Sequence, residues 1–230
     1  MRAPPRVPYV ASMTVLPRPA SPDTPTHDPA TTAGDVLAAV HMLAPAIAGR
    51  AAEVEAARRV PPDLLDEVTR AGAFRLLLPR SHHGVSADLP TALQVYEALA
   101  RADASLAWVT AIGGGGWRDL VGLPRASFDA LFAGPADVVT AGVFSPSGSI
   151  TAVDGGYRAT GRWGFASGCE HADWVYGNCV EGVVDGMPQL RFAVFRPDEV
   201  VIEDTWTASG LCGTGSHHFR VEDVVVPADR

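Results

Sequence analysis

The sequence predicts an α+β protein in which an N-terminal α-helical domain is followed by a small antiparallel β-barrel domain. Three observations predict it. Apolar residues recur at helical spacing from Thr31 to about Gly134. Beyond Gly134 they fall into β-rich runs separated by turn signals such as DGG, VDGM and SGLCGTGS. Before Thr31, eight prolines stand among scattered Ser, Thr and Asp, a composition that buries too little apolar area to offset chain entropy. The expected boundaries are 1–30 for a disordered leader, 31–134 for the helical domain and 135–230 for the β domain. Met13 lies inside the leader and offers a second start, which would leave residues 1–12 outside the protein.

The first helical run, TTAGDVLAAVHMLAPAIAGRAAEVEAARR, opens with a Thr-rich cap and an acid. It repeats Val36, Val40, Leu43 and Ile47 at helical spacing, and Pro45 should kink it. PPDLLDEVTRAG has proline at its start, acids in its first turn and Gly72 as a stop. DLPTALQVYEALARADAS places Leu93, Tyr96, Leu99 and Ala100 on one face. ASLAWVTAIGGGGWRDLVGL reads as a buried helix whose glycines allow close backbone packing, and residues 127–132 add a short one. The β runs are DVVTAGVF, SITAV, YRATGRWGF, DWVYGNCV, RFAVFRP, EVVIEDTW and FRVEDVVVP, suited to a small barrel or sandwich. The sequence has no internal repeat.

Composition removes several function classes. The 230 residues are 47% hydrophobic and 19% charged, enough for a sizeable core. The formal net charge is -8, and all 18 basic residues are arginine, with no run longer than Arg58-Arg59. A nucleic-acid partner needs a basic stripe that is not there. Without lysine, neither a P-loop NTPase nor a lysine-imine mechanism is available. Cys169, Cys179 and Cys212 form no C-x-x-C pair, which predicts a reducing, cytoplasmic setting. The N-terminus lacks the apolar core of a signal peptide, and no stretch approaches the roughly 18 apolar residues of a membrane span.

The densest constellation is GRWGFASGCEHADW, residues 161–174. If YRATGRWGFAS is one strand, its period of two puts Trp163, Phe165 and Ser167 on one face, with Arg162 and Ala166 on the other. Two aromatic rings and a terminal hydroxyl suit a planar heterocycle, giving apolar contact and one edge hydrogen bond. Spacing alone favours the plainer reading, that the rings fill the core and Ser167 caps a bend at Gly168. A metal set of Cys169, His171, Asp173, His217 and His218 lacks paired-ligand spacing, so no metal is assigned. Ser167 lacks the G-x-S-x-G elbow of a nucleophile, and Cys169 reads as a small buried hydrophobe. GGGG at 113–116 and GLCGTG at 210–215 lack the strand-to-helix context of a dinucleotide loop. His82 and His83 read as a solvated loop.

Three segments together, RLLLPRSHHGVSADLPTALQVYEALARADASLAW, GGYRATGRWGFASGCEHADW and GLCGTGSHHFRVEDVVVP, resemble the acyl-CoA dehydrogenase superfamily in content and order. The resemblance covers about residues 31–230 and is closest to the two-component flavin-dependent monooxygenase branch. AGVFSPSGS at 141–149 stands where the dehydrogenases carry a T-E-P-x-x-G-S-D type segment, which is what favours the hydroxylases. The resemblance implies a helical domain, then a β-barrel, then a C-terminal helical bundle absent from this sequence. Without that bundle, helix faces and one side of the barrel should be exposed and apolar. It also implies a flavin, FMN or FAD used reduced, delivered by a flavin reductase, an aromatic or polycyclic small-molecule substrate, and a homo-oligomer where a bundle is supplied.

By the same resemblance, Phe165-Ala166-Ser167 occupies the place of the family's aromatic-x-Thr/Ser element against the flavin ring. Ser167 would hydrogen-bond the flavin edge near N5 and protect the oxygenated flavin from premature loss of peroxide. Trp163 and Phe165 would shape the ring pocket, and Trp206 with Gly213, Thr214 and Ser216 would approach the flavin tail. Two positions depart from the pattern: Ser-His-His-Gly stands at 81–84, and Cys212 replaces an arginine, removing a bidentate contact to phosphate. Alternatives left open are an acyl-CoA dehydrogenase oxidising a CoA thioester with FAD, an inactive truncated or split-gene fragment needing a partner chain, and a Cys/His metal protein.

Overall fold

The computed structural model describes residues 12–13, 31–132 and 137–230. Helices come first and strands follow, with one exception at the start of the chain. Strand β1 (Ser12–Met13) pairs antiparallel with β6, far along the sequence. The rest of the expected disordered leader lies outside the described residues.

Helix α1 (Ala33–Gly49) begins where the sequence places it. Thr32 and Asp35 form a capping box, the Thr32 hydroxyl accepting from the Asp35 amide and the Asp35 carboxylate from the Thr32 amide. Those bonds also draw the Asp35 carboxyl below its usual range. The helix runs through Pro45 and bends instead at Arg50, by 65°, where α2 (Ala51–Ala57) starts. Pro45 removes one donor on an exposed stretch, whereas Arg50 bridges Glu53 and Asp63 and so turns the chain toward the next helix. Helix α3 (Pro62–Arg70) has Pro62 in its first turn and Gly72 beyond its end at φ +85°.

Helix α4 (Leu89–Ala102) buries Ala92, Val95, Ala98 and Leu99. The face expected from Leu93, Tyr96, Leu99 and Ala100 is therefore rotated, and Leu93 and Ala100 are exposed. Small Ala92 and Ala98 let α4 lie close on α1, which outweighs the larger side chain of Leu93. Helix α5 (Ala104–Gly115) is capped by Asp103 and packs Gly114 so tightly on Phe74 that an added Cβ would lie 2.7 Å from its carbonyl oxygen. Helix α6 (Arg125–Phe132) closes the helical part. His82 corrects the solvated-loop reading: it is buried, bonded through Nε2 to Asp129 at 2.8 Å, with Phe128 against its ring. His83 is exposed.

The sheet comprises β2 (Thr140–Val153), β3 (Gly156–Ala166), β4 (Trp174–Val184), β5 (Met187–Phe195), β6 (Val201–Glu203) and β7 (His217–Pro227). Its order is β1-β6-β7-β3-β2-β4-β5, antiparallel except for the parallel pair β2–β4. DVVTAGVF and SITAV, expected as two strands, are one long strand with a register break between Val143 and Gly148.

The sheet curls around Trp163, which is completely buried. Its indole stacks on Phe219 at 4.8 Å, meets Phe195 at 6.0 Å and donates from Nε1 to the Asn178 carbonyl at 2.8 Å. Gly148, Gly161 and Gly177 surround it, and a Cβ on any of them would fall within 2.5 Å of the indole. The helical part joins the sheet through a buried ion pair, Arg75 to Asp137 at 2.6 Å.

Exposed large apolar side chains include Met42, Leu89 and Leu93 on the helices and Val183, Val184, Met187 and Leu190 on the β4–β5 hairpin. No single helix among the described residues is long and apolar enough to cross a membrane. Because Trp163 fills a space shaped by three glycines, Trp163→Ala should lower unfolding free energy by about 3–5 kcal/mol. Urea denaturation followed by circular dichroism reads this, and an unshifted midpoint would contradict the packing.

Candidate functional site

Strand β3 ends in a bulge that decides what each residue of GRWGFAS faces. Regular alternation would align Trp163, Phe165 and Ser167, but the β3–β7 register shifts between Trp163 and Ala166. Phe165 takes φ +65°, an uncommon conformation for an aromatic residue. Trp163 therefore stays in the core while Phe165 is turned outward and left 71% exposed, and Ala166 takes the inward position. The single face expected from period two does not form. A Cβ on Gly164 would lie 2.9 Å from Nε2 of His218, so glycine leaves that ring its place beside the bulge.

Phe165 stands between two other rings. Trp206 meets it edge-on at 6.2 Å and His218 at 5.7 Å. Trp206 is half-buried and held at three atoms and one ring contact by its surroundings. Its amide donates to Nδ1 of His217 at 3.1 Å, its carbonyl accepts from Arg58 at 2.8 Å, its indole Nε1 donates to the Leu211 carbonyl at 3.1 Å, and its ring edge contacts Phe165.

Ser167 heads a chain of hydroxyls. Its Oγ accepts from Trp108 Nε1 at 3.0 Å and lies 2.7 Å from Ser216 Oγ, which lies 2.7 Å from Thr214 Oγ1. Thr214 Oγ1 donates to the Leu211 carbonyl at 2.9 Å. With the Thr214 proton on the Leu211 carbonyl, Thr214 accepts from Ser216 and Ser216 accepts from Ser167; that carbonyl also receives the Thr214 amide and the Trp206 indole, and the reverse order would turn the Ser167 proton outward. In the first order the Ser167 proton points inward and its oxygen keeps a lone pair to offer outward.

The 211–216 loop sits on the helical part through Gly213. A Cβ there would be 2.1 Å from Val54 and 3.0 Å from the Cβ of Ser105, so only glycine lets this turn seat against α2 and α5. Behind the loop lies a set of charges. Arg58 pairs with Asp204 at 2.7 Å, Arg59 with Glu170 at 3.4 Å, and His217 lies 3.8 Å from Glu170 and 3.6 Å from Asp204. Burial raises the Glu170 carboxyl, and the Arg58 hydrogen bond lowers that of Asp204.

The structure thus brings Phe165, Ser167, Trp206, Thr214 and Ser216 together, puts Trp163 in the core and places Gly213 under the loop as a packing residue. Trp108 and His218 were missed. Trp108 sits on a helix that reads as buried, and nothing local to it signals a contact 59 positions away. His217 and His218 were weighed only as metal ligands, and among the described residues no group of three metal-binding side chains occurs. Cys169 is buried, which pushes its thiol well above the ordinary range and away from nucleophilic use. An open cleft of about 490 Å³ lies elsewhere, lined by Asp119, Tyr157, Arg191 and Phe192.

A helical region leading into a mostly antiparallel sheet is the arrangement of acyl-CoA dehydrogenase-like proteins, which this chain resembles. Residues 37–118 match the family model described as Acyl-CoA dehydrogenase, N-terminal domain. The oxygenase subunit HsaA of a flavin-dependent monooxygenase from Rhodococcus jostii (strain RHA1) is 37% identical over 192 residues, covering 82% of this chain and 49% of that protein. The crystal structure of the HsaA monooxygenase from M. tuberculosis superposes with a TM-score of 0.79 at 32% identity, over 87% of this chain and 55% of the other. XiaF from Streptomyces sp., solved with FADH2 and glycerol, superposes at 0.80 with 29% identity, over 86% and 50%. The chain spans about half the length of the relatives it matches.

Gly213→Ala should cost about 1–3 kcal/mol by overpacking the loop against Val54. A thermal unfolding scan that leaves the midpoint where it was would show that the loop does not depend on this contact.

Proposed function

We propose that this chain carries the flavin platform of the oxygenase component of a two-component monooxygenase. A separate reductase supplies reduced flavin, FMN or FAD, and one oxygen atom of O2 is added to a small aromatic or polycyclic substrate. The observation that carries the reading is the end of β3, where a strained backbone holds Phe165 out to solvent beside the acceptor oxygen of Ser167. An exposed aromatic ring fixed in this way suits the face of a flat heterocycle, and the adjacent hydroxyl suits its edge. The relatives, which are named as flavin-dependent monooxygenases, support the same reading.

The residues present fit a reduced flavin. When bound, the flavin supplies the capacity to activate O2, which no side chain here has. Phe165 provides apolar contact to one side of the ring system, and Trp206, fixed through its amide, carbonyl and indole nitrogen, limits where that ring can lie. With the hydroxyl chain running from Ser167 through Ser216 to Thr214, Ser167 offers an acceptor. Reduced flavin carries a donor at N5 and oxidised flavin does not, so the direction of the hydroxyl chain favours the reduced form. Trp108 steadies the Ser167 oxygen from the helical side.

The direct test is a titration of the purified chain with oxidised and dithionite-reduced flavin, with size-exclusion chromatography reporting its compactness. Reduced flavin should bind a compact species, and a compact species that binds neither form overturns the reading. Phe165→Ala should weaken reduced-flavin binding about tenfold, the equivalent of about 1.4 kcal/mol of aromatic contact. Ser216→Ala releases the Ser167 proton to act as a donor, so the preference for reduced over oxidised flavin should shrink by about 3- to 10-fold. An unaltered preference in that variant would mean that hydroxyl polarity does not select the redox state.

A further inference from the structure

His217 is completely enclosed, yet it is neither on the platform surface nor in the sheet's apolar core. Its Nδ1 accepts from two consecutive backbone amides, Thr205 and Trp206, each at 3.1 Å. A ring nitrogen that accepts two N–H groups carries no proton, so the imidazole proton sits on Nε2, facing Glu170 Oε2 at 3.8 Å. The next residue along β7 adds a further tie, the His218 amide donating to the Thr205 hydroxyl at 2.9 Å. Arg58 holds the Trp206 carbonyl, the Leu211 carbonyl holds the Trp206 indole and the Thr205 hydroxyl bridges the Glu203 carbonyl and the His218 amide, while the His217 ring is what accepts from both backbone amides of 205–206.

We propose that His217 is a positioning residue, whose neutral ring holds the Trp206 side of the platform in place and whose protonation releases it. This rests on the flavin reading only for its link to ligand binding, because the clamp itself is a property of the chain. Protonated Nδ1 cannot accept from either amide, and Asp204 Oδ1, 3.6 Å away, stands ready to take the new N–H. The ring would turn from holding the peptide to holding the carboxylate. Both amides would then lose their acceptor at once, while Arg58 still holds the Trp206 carbonyl.

The charged groups around the ring come from every element packed on it. Asp204, after β6, and Glu170, in the turn after β3, favour the charged ring. Arg58 and Arg59, between α2 and α3, and His218, on β7 itself, oppose it. Burial is the largest influence, and His217 is held below the ordinary histidine value. The sign follows. A depressed native value means the neutral clamp is fully present above an ordinary histidine's pKa of about 6.5 and is lost as pH falls through the lower native value.

The test uses the full chain and needs no ligand. Amide hydrogen exchange, resolved by NMR and expressed as protection over the unstructured rate, is followed from about pH 8 downward until the His217 ring resonances report protonation. In the unmodified chain, protection at Thr205 and Trp206 should fall about tenfold across this range while core amides such as Val194 hold theirs. His217→Asn places a non-titrating oxygen near the Nδ1 position, so protection there should persist and become flat with pH. His217→Leu should leave both amides poorly protected at every pH. If His217→Leu does not fold, the first two curves decide the matter alone. A flat profile in the unmodified chain, or an identical acid response in His217→Asn, overturns the clamp.

Reduced-flavin titration of the same two proteins then tests the link to the platform. Affinity should track Trp206 protection, and affinity that ignores it removes the platform role. A failure of both proteins to bind flavin even at about pH 8 overturns the flavin reading instead, and leaves the clamp to be judged on the amides.

Discussion

The indole of Trp163 occupies a volume that three neighbouring backbones leave free, and the rest of the β region depends on that fit. Gly148 on β2, Gly161 on β3 and Gly177 on β4 each come so near the ring that no side chain could be carried there. Phe219 and Phe195 close the other sides, and the only polar atom of the indole is satisfied by the Asn178 carbonyl. A large aromatic group buried in this way fixes the register of the strands around it, since a slip of one residue would bring a Cβ into the ring. The end of β3 is thereby anchored two residues before Phe165.

That anchor is what allows the strain at Phe165 to persist. A positive φ on an aromatic residue costs of order 1–3 kcal/mol and survives only where the surroundings over-determine it. Here Trp163 holds one side and Ala166 and Cys169, both buried, hold the other. The strained residue then presents its ring to solvent, where core packing gives it no reward. Strain next to an exposed aromatic ring, beside a chain of hydroxyls, is the arrangement on which the proposed flavin platform rests.

The platform is also shared between the two halves of the chain. Trp108 and Arg58 reach it from the helical part, and Gly213 seats its loop on α2 and α5. The buried Arg75–Asp137 pair fixes the two parts at a second point. Losing one member of such a pair leaves an uncompensated buried charge, which costs about 3–5 kcal/mol. The geometry around Ser167 is therefore set by the docking of helices on the sheet as much as by β3 itself.

Much of this was legible in the sequence. The change of apolar period near Gly134 marks the passage from helices to strands, the Thr32 and Gly72 signals mark helix ends, and the density of GRWGFASGC marks the site. These are local properties, carried by side-chain spacing and backbone preference within a few residues. What the tertiary structure alone decided is non-local. Strand alternation put Trp163 and Phe165 on one face, and the bulge separates them, because the bulge is fixed by pairing with β7 more than fifty residues later. Leu93 outweighs Ala92 in hydrophobicity, yet Ala92 is buried and Leu93 exposed, because the face of α4 that meets its neighbours is set by packing. The parallel β2–β4 pair, the contact of Trp108 with Ser167 and the clamp of His217 on Trp206 likewise join residues whose spacing carries no signal. Sequence pattern fixes which face of an element is apolar, and only packing fixes what that face meets.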